Sequence, residues 1–294
     1  MSTKEIDAIL IAGPTASGKS AFALELAEKH NGIIVNTDSM QVYRDLQVLT
    51  SRPTQQDMEH IPHTLYGIIP GSQAYSAGQW ITDVKEVLAK YRNTNQIPIF
   101  TGGTGLYFSA LLKGLSPIPD IPQEIRDKWR QQALTQDSAS LHQILAEQDP
   151  VMSHQLRPSD TQRIVRALEV FDATGQSLAK WQKKAGTPLL QEDKTMRYVI
   201  IPERDEIYHK CNIRFDLMIA EGALDEVAAL HSMHLDAGLP IMRAVGVPPL
   251  IAYLEKKISL DEAVERAKRD TRRYAKRQIT WLKSNMITWN WKKK

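Results

Sequence analysis

The sequence predicts an α/β protein: a doubly wound parallel sheet, interrupted by a helical insertion domain and completed by C-terminal helices. Three observations carry this. Apolar runs of strand length alternate with helix-length segments in the first third of the chain, and two of the runs open into glycine loops. From about residue 117 to 187, apolar residues recur at helical spacing with no period-two alternation. The run Met196-Arg197-Tyr198-Val199-Ile200-Ile201-Pro202 then returns the chain to the sheet before further helices. The expected divisions are 1–116, 117–187 and 188–294.

The first element is the run Ile9-Leu10-Ile11-Ala12, followed by Gly13-Pro14-Thr15-Ala16-Ser17-Gly18-Lys19-Ser20 and the helix-forming Ala21–Glu28. This is G-x-x-x-x-G-K-[ST] between a strand and a helix, the context in which the pattern has mechanical meaning and which makes the sheet P-loop NTPase-like. Gly13 and Gly18 let consecutive N–H groups turn around an anion, and Lys19 adds a point charge. Ser20 offers a hydroxyl to Mg²⁺, and the helix contributes its positive end. The loop is therefore expected to hold a diphosphate or triphosphate, which leaves the reaction open.

A second strand, Ile33–Thr37, ends at Asp38-Ser39. Ligands of open parallel sheets gather beyond the carboxyl ends of strands, so Asp38 is expected beside the phosphate loop, where it can bind Mg²⁺ or accept a proton. Thr64–Ile69 reads as a further extended segment and Ala77–Tyr91 as a helix. Ile97–Thr101 is another strand, running into the second glycine loop Gly102-Gly103-Thr104-Gly105-Leu106-Tyr107, with Thr101 and Thr104 offering hydroxyls on the same rim.

Three prolines between Pro117 and Pro122 form a stiff connector. In the insertion, Ile125, Trp129 and Ala133 keep helical spacing, as do Leu141, Ile144 and Leu145. Ser159-Asp160-Thr161-Gln162 fits a capping box, opening a helix with Ile164, Leu168 and Phe171 inward and Arg163 and Arg166 on another side. After the returning strand, Arg214 and Met218 sit one turn apart. Leu260, Val264, Ala267, Thr271, Tyr274 and Gln278 mark the inward stripe of a long helix whose other faces carry Lys268, Arg269, Arg272, Arg273, Lys276 and Arg277. Met286–Trp289 reads as a last strand.

The chain has 294 residues, 42% of them hydrophobic, enough for a substantial core. No apolar run approaches a membrane span, and the first residues lack a signal peptide's apolar segment, so a cytoplasmic address and no membrane partner are expected; a monomer is the expected state, though nothing in the sequence fixes it. The single cysteine, Cys211, excludes an internal disulfide and suits packing on a helix. The pairs His60/His63 and His231/His234 lack the further ligands a zinc site wants. The net charge of +3 hides an asymmetry: residues 266–294 hold eleven Lys or Arg against one acid, Asp270. A polyanion partner or a solvated helix face accounts for this equally well.

Taken together, five stretches resemble the tRNA dimethylallyltransferase (isopentenyl-diphosphate:tRNA transferase) family. They are Gly13–Ser20, Asp38–Tyr43, Thr101–Tyr107, Asp160 through Arg163 to Glu169, and Thr271–Trp281. Two departures are visible. Val247-Pro248-Pro249 follows Arg243-Ala244-Val245-Gly246 where relatives have an aromatic residue and soon a glutamate, and Thr50-Ser51-Arg52-Pro53 stands where Gly-Thr-Ala-Lys-Pro is usual. The resemblance implies transfer of a dimethylallyl group from its diphosphate to the exocyclic amine of the adenosine 3′ of the anticodon. Gly13 through Ser20 would then bind diphosphate, with Mg²⁺ on Ser20, and Asp38, Thr104 and Arg214 would serve the chemistry. Asp38, Ser39, Met40, Gln41, Thr104, Arg126, Gln162, Arg163, Ile164, Val165, Arg166 and Arg243 through Gly246 to Pro248 would meet the tRNA anticodon stem-loop, and Arg272, Lys276 and Arg277 its backbone. Whether Asp38 is a general base or chiefly a metal ligand stays open. A P-loop small-molecule kinase would share the sheet but has no need of the basic C-terminus. An ATP-driven nucleic-acid-binding protein should show a second apolar strand ending in an acid, and Ile200-Ile201 is followed by Pro202.

Overall fold

The computed structural model describes residues 6–293, in two compact units. One is formed by the chain up to Leu112 and again from Leu189, the other by Lys113–Pro188. The first unit opens with β1 (Ala8–Ala12), α1 (Lys19–His30), β2 (Gly32–Asn36), β3 (His63–Thr64), α2 (Ala77–Tyr91), β4 (Ile97–Gly102) and α3 (Gly105–Lys113). The second unit holds α4 (Gln123–Thr135), α5 (Ser138–Gln148), α6 (Pro150–Ser153), α7 (Thr161–Thr174) and α8 (Leu178–Gln182). The first unit then resumes with β5 (Thr195–Ile200), α9 (Arg204–Ala220), α10 (Ala223–Ser232), α11 (Val247–Leu254), α12 (Leu260–Asn285) and β6 (Asn290–Lys292).

The six strands form one sheet in the order β3-β2-β4-β1-β5-β6, and every pairing is parallel. Alternation along β1 sends Ala8, Leu10 and Ala12 to one face and Ile9 and Ile11 to the other. Both faces are covered, which is why the strands read as continuous apolar runs. Trp80, Val84 and Val87 of α2, Phe108 and Leu111 of α3 and Leu282 of α12 close the first face; Phe22, Ala23 and Leu26 of α1 close the second. With β4 and β5 flanking β1, the loops after β1, β4 and β2 share one rim at the point where strand order reverses.

Four sequence expectations change. Thr64–Ile69 is not one extended segment: Leu65 (φ 64°) and Gly67 (φ 60°) turn left-handed and end β3 after Thr64. The last strand begins at Asn290, because Met286 and Trp289 are buried in the core and joined by a turn in which Trp289 N–H donates to Met286 O (3.2 Å). The helix expected after Ser159 starts at Thr161, but Asp160 caps it without a side-chain bond; its carboxylate meets Arg163 instead (3.2 Å). Phe171 there is only partly buried, whereas Ile164 and Leu168 are fully so. On α12, Ala267 and Gln278 are buried and Leu260 and Val264 pack against the core as expected, but Thr271 and Tyr274 are only partly buried and Ala263, Ala275 and Leu282 join the stripe; alanines let the helix lie close to its neighbours.

The Val247-Pro248-Pro249 departure sits in the first turn of α11, where amide donors have no intrahelical acceptor and proline costs little. Cys211 is buried on α9 with Ile207 and Ala275. None of the helices is long and apolar enough to cross a membrane among the described residues.

Candidate active site

A cavity of 230 Å³ opens on the rim beyond β1, lined by Thr15 through Ser20, Asp38, Gln41, Thr50, Tyr66, Thr101 and Arg214. Sequence reasoning placed the phosphate loop, Asp38 and Arg214 in one site, and the fold brings them together. The loop is shaped by two left-handed residues, Ala16 (φ 61°) and Gly18 (φ 82°). Gly18 precedes α1 as a cap with no side-chain bond, and the first turn carries no acid, so the N–H groups at this helix start are left for an anion. Ser17 Oγ and Thr101 Oγ1 are buried polar atoms with no hydrogen-bond partner among the described residues. Buried hydroxyls are normally bonded, so two orphans at one cavity point to a polar ligand.

The electrostatics agree. Lys19 donates to Pro14 O (3.2 Å), and burial draws its pKa down to about 8; Asp38 opposes the shift and Arg214 adds to it. Burial likewise lowers the Arg214 guanidinium, with Cys211 and Asp38 opposing. Two buried cations that share one cavity with the single carboxylate of Asp38 leave net positive charge there, an attractive seat for diphosphate. Burial and, next, the Asp38 charge hold the phenols of Tyr66 and Tyr274 well above their ordinary range, so both rings stay neutral.

Asp38 follows β2 in a turn fixed three ways. Asn36 Oδ1 accepts from Asp38 N (2.8 Å), Asn36 Nδ2 donates to Asp38 O (3.0 Å), and Asp38 Oδ1 accepts from Met40 N (2.9 Å). Among the described residues no donor meets Oδ2, so one carboxylate oxygen anchors the turn while the other can accept a proton. Thr104 supports this turn rather than entering the cavity: its Oγ1 accepts from Ser39 N (3.0 Å) and contacts Ser39 Oγ (3.3 Å), and its own N–H donates to Thr37 O (3.2 Å). Gln41 Nε2 donates to Thr50 O and Ser51 O (3.0 and 2.9 Å), folding the 41–51 loop over the cavity. Arg52, in the second departure, bonds Leu46 O and Arg44 O and so braces that loop from behind.

The remaining expected RNA contacts divide. Lys276 and Arg277 are exposed on α12, Arg277 lying 5.6 Å from the Tyr274 ring centroid. Arg272 is partly buried and donates to Asn212 Oδ1 of α9 (2.5 Å), which makes it a helix brace. Arg243 is exposed just before Gly246, the left-handed cap of α11. In the helical unit, Gln162, Arg163 and Arg166 point outward on α7, Arg166 pairing with Glu169 (3.2 Å), while Arg126 of α4 donates to Ile121 O (3.1 Å). The side chains of Ile164 and Val165, expected among the contacts, are buried in the core of this unit and hold up the face that carries the polar side chains.

Sequence reasoning missed Thr50, Tyr66 and Gln278. Gln278 is 7% exposed, accepts from Thr15 N with Oε1 (3.0 Å) and donates from Nε2 to Gly103 O (3.0 Å). An amide on the inward stripe of a helix was the available signal, since a buried polar side chain needs partners.

Known proteins match this architecture along its length. Residues 41–285 match a family described as IPP transferase, and residues 6–66 one described as isopentenyl transferase. A tRNA dimethylallyltransferase of Nitrobacter hamburgensis is 48% identical over 285 residues, 97% of this chain and 90% of that one; one of Bartonella henselae is 50% identical over 275 residues, 94% of each. Among solved structures, a tRNA isopentenylpyrophosphate transferase of Bacillus halodurans superposes with a TM-score of 0.70 at 29% identity, covering 99% of this chain and 90% of that one. A eukaryotic dimethylallyltransferase acting on tRNA gives a TM-score of 0.78 at 27% identity, over 96% of this chain and 71% of that one. With phosphate loop, acid-bearing turn and second glycine loop on one rim, and relatives matched end to end, this chain belongs to the tRNA dimethylallyltransferase family of IPP transferases.

Proposed function

We propose that this protein transfers a dimethylallyl group from dimethylallyl diphosphate to the exocyclic amine of the adenosine 3′ of the anticodon in tRNA, releasing diphosphate. The observation that carries the reading is the division of labour in the cavity: Lys19, Arg214 and the α1 N-terminus gather on the phosphate loop, and Asp38 offers a free carboxylate oxygen from the next loop. The allylic carbon–oxygen bond breaks, its electron pair leaving on diphosphate, while the amine nitrogen bonds the allylic carbon and gives its proton to Asp38 Oδ2. Charge grows on the departing diphosphate, where the loop amides, Lys19 and Arg214 interact more strongly with it than in the ground state.

The same residues fit Mg²⁺. Such an ion needs only one or two protein oxygens when phosphates supply others, and Ser20 stands at the loop with the orphaned Thr101 hydroxyl on the same cavity. Bound on Ser20 and diphosphate oxygens, it would neutralise leaving-group charge. The adenine must leave its stack, an extrusion costing a few kcal/mol that phosphate contacts elsewhere offset. Lys276, Arg277 and Arg243 of the sheet unit, and Arg163 of the helical unit, supply exposed cations for that purpose, with the half-buried Arg166 beside Arg163 on α7. The protein acts as a cytoplasmic monomer in this reading.

Incubation with radiolabelled dimethylallyl diphosphate, Mg²⁺ and total tRNA should make label acid-precipitable, and nuclease digestion should place it on the adenosine 3′ of the anticodon. Vigorous ATP hydrolysis without tRNA, and no label in tRNA, would overturn the proposal.

A further inference from the structure

The phosphate loop, which lines the cavity, and the second glycine loop, which backs the Asp38 turn, are not held to one another by the sheet alone. Both are fastened to α12. Gln278 accepts from the Thr15 amide of the phosphate loop and donates to the Gly103 carbonyl of the second glycine loop, each at 3.0 Å. Its neighbours on that helix, Lys276 and Arg277, are exposed cations. The helix also sits against the second loop so closely that side chains there would collide: a Cβ on Gly103 would lie 2.1 Å from Gln278 Nε2, and one on Gly105 2.2 Å from the Trp281 ring. Between these glycines stands Thr104, whose hydroxyl fixes Ser39 and hence the turn that presents Asp38. On the other loop, Thr15 immediately precedes Ala16, a non-glycine residue in left-handed backbone. Such a conformation persists only where its surroundings determine it, and the Thr15–Gln278 bond is one of the few side-chain bonds to that loop.

The geometry points to Gln278 as a positioning residue that couples the two substrates: RNA phosphates fixing α12 through Lys276 and Arg277 thereby order the diphosphate loop and the Asp38 turn. This rests on the proposed function. The physical basis is ordering entropy. When one ligand has already immobilised the helix and its two loops, the second ligand no longer bears that cost, and by linkage each raises the other's affinity by the same factor. Removing the amide cuts the connection while leaving both binding surfaces in place.

Inorganic diphosphate with Mg²⁺ and an unmodified anticodon stem-loop bind without reacting, so calorimetry can measure each alone and in the other's presence. The parent should bind diphosphate about fivefold or more tightly with the stem-loop present, and the stem-loop should gain equally from diphosphate. Gln278→Met, similar in length but without either bond, should bring that ratio to about one while affinity for the stem-loop alone changes less than twofold. Gly103→Ala displaces the same amide from the other side and should also lower the ratio; it carries the test if Gln278→Met does not fold. Thermal melting confirms that the variants are folded at the assay temperature. No coupling in the parent, or undiminished coupling in a folded variant, overturns the inference. Failure of the functional reading looks different, as diphosphate or stem-loop would then not bind the parent at all.

Discussion

Lys19 is where burial and function meet at a single residue. Its ammonium has a pKa of about 8 because surrounding protein replaces water, and a bound diphosphate would restore the favourable surroundings of the charged form. The sign follows directly. Below pH 8 the group is charged with or without ligand, and affinity is insensitive to its titration. As pH rises through 8 the free protein loses the proton that the complex keeps, so diphosphate affinity falls, by up to tenfold per pH unit, and binding takes up a proton. Calorimetry in buffers of different ionisation enthalpy should detect this uptake, and Lys19→Gln should lack it. The G-x-x-x-x-G-K-[ST] spacing made Lys19 and Ser20 legible because the motif is contiguous. Thr104 and Gln278 were not legible in these roles, because their partners Ser39, Thr15 and Gly103 are far away in sequence and only the fold brings them close.

Among the elements, α12 and α10 support the site in different ways. On α12, Lys276→Gln and Arg277→Gln should each make the slope of log affinity for tRNA against log salt shallower by roughly 0.7 to 0.9, as one phosphate contact is lost. Arg272→Gln should leave the slope nearly intact and lower the melting temperature instead, since that guanidinium is committed to Asn212. On α10, the Glu226 carboxylate accepts from three successive amides, Gln47, Val48 and Leu49, just before Thr50 reaches the cavity. Glu226→Ala strands these donors and should cost about 1 to 3 kcal/mol, measured by denaturant unfolding. Long periodic elements such as α2 and α12 are readable from spacing alone. The turn at Leu65 and the shift of β6 to Asn290 are not, because an apolar run looks the same whether it pairs as a strand or packs as a core turn.

For the whole molecule, the second unit is an insertion whose excision sites are already close. Leu189 N–H and Leu190 N–H both donate to Leu111 O, at 2.9 and 3.1 Å, so the chain leaves and rejoins the sheet unit at nearly one point. Replacing residues 114–187 with a short Gly/Ser linker should leave a cooperatively unfolding protein that still binds diphosphate by calorimetry but does not modify tRNA; loss of diphosphate binding in a folded product would contradict this. The central claim is that one cavity separates leaving-group stabilisation from proton removal, and Asp38→Asn tests it in the intact chain because it keeps shape and removes the acceptor. Single-turnover transfer of label from dimethylallyl diphosphate to tRNA, measured beside a binding titration, should show the rate falling by about 10² to 10⁴ with affinity for dimethylallyl diphosphate nearly unchanged. A near-normal rate at saturating substrate and Mg²⁺, with diphosphate affinity lost, would make Asp38 a metal ligand and contradict the account.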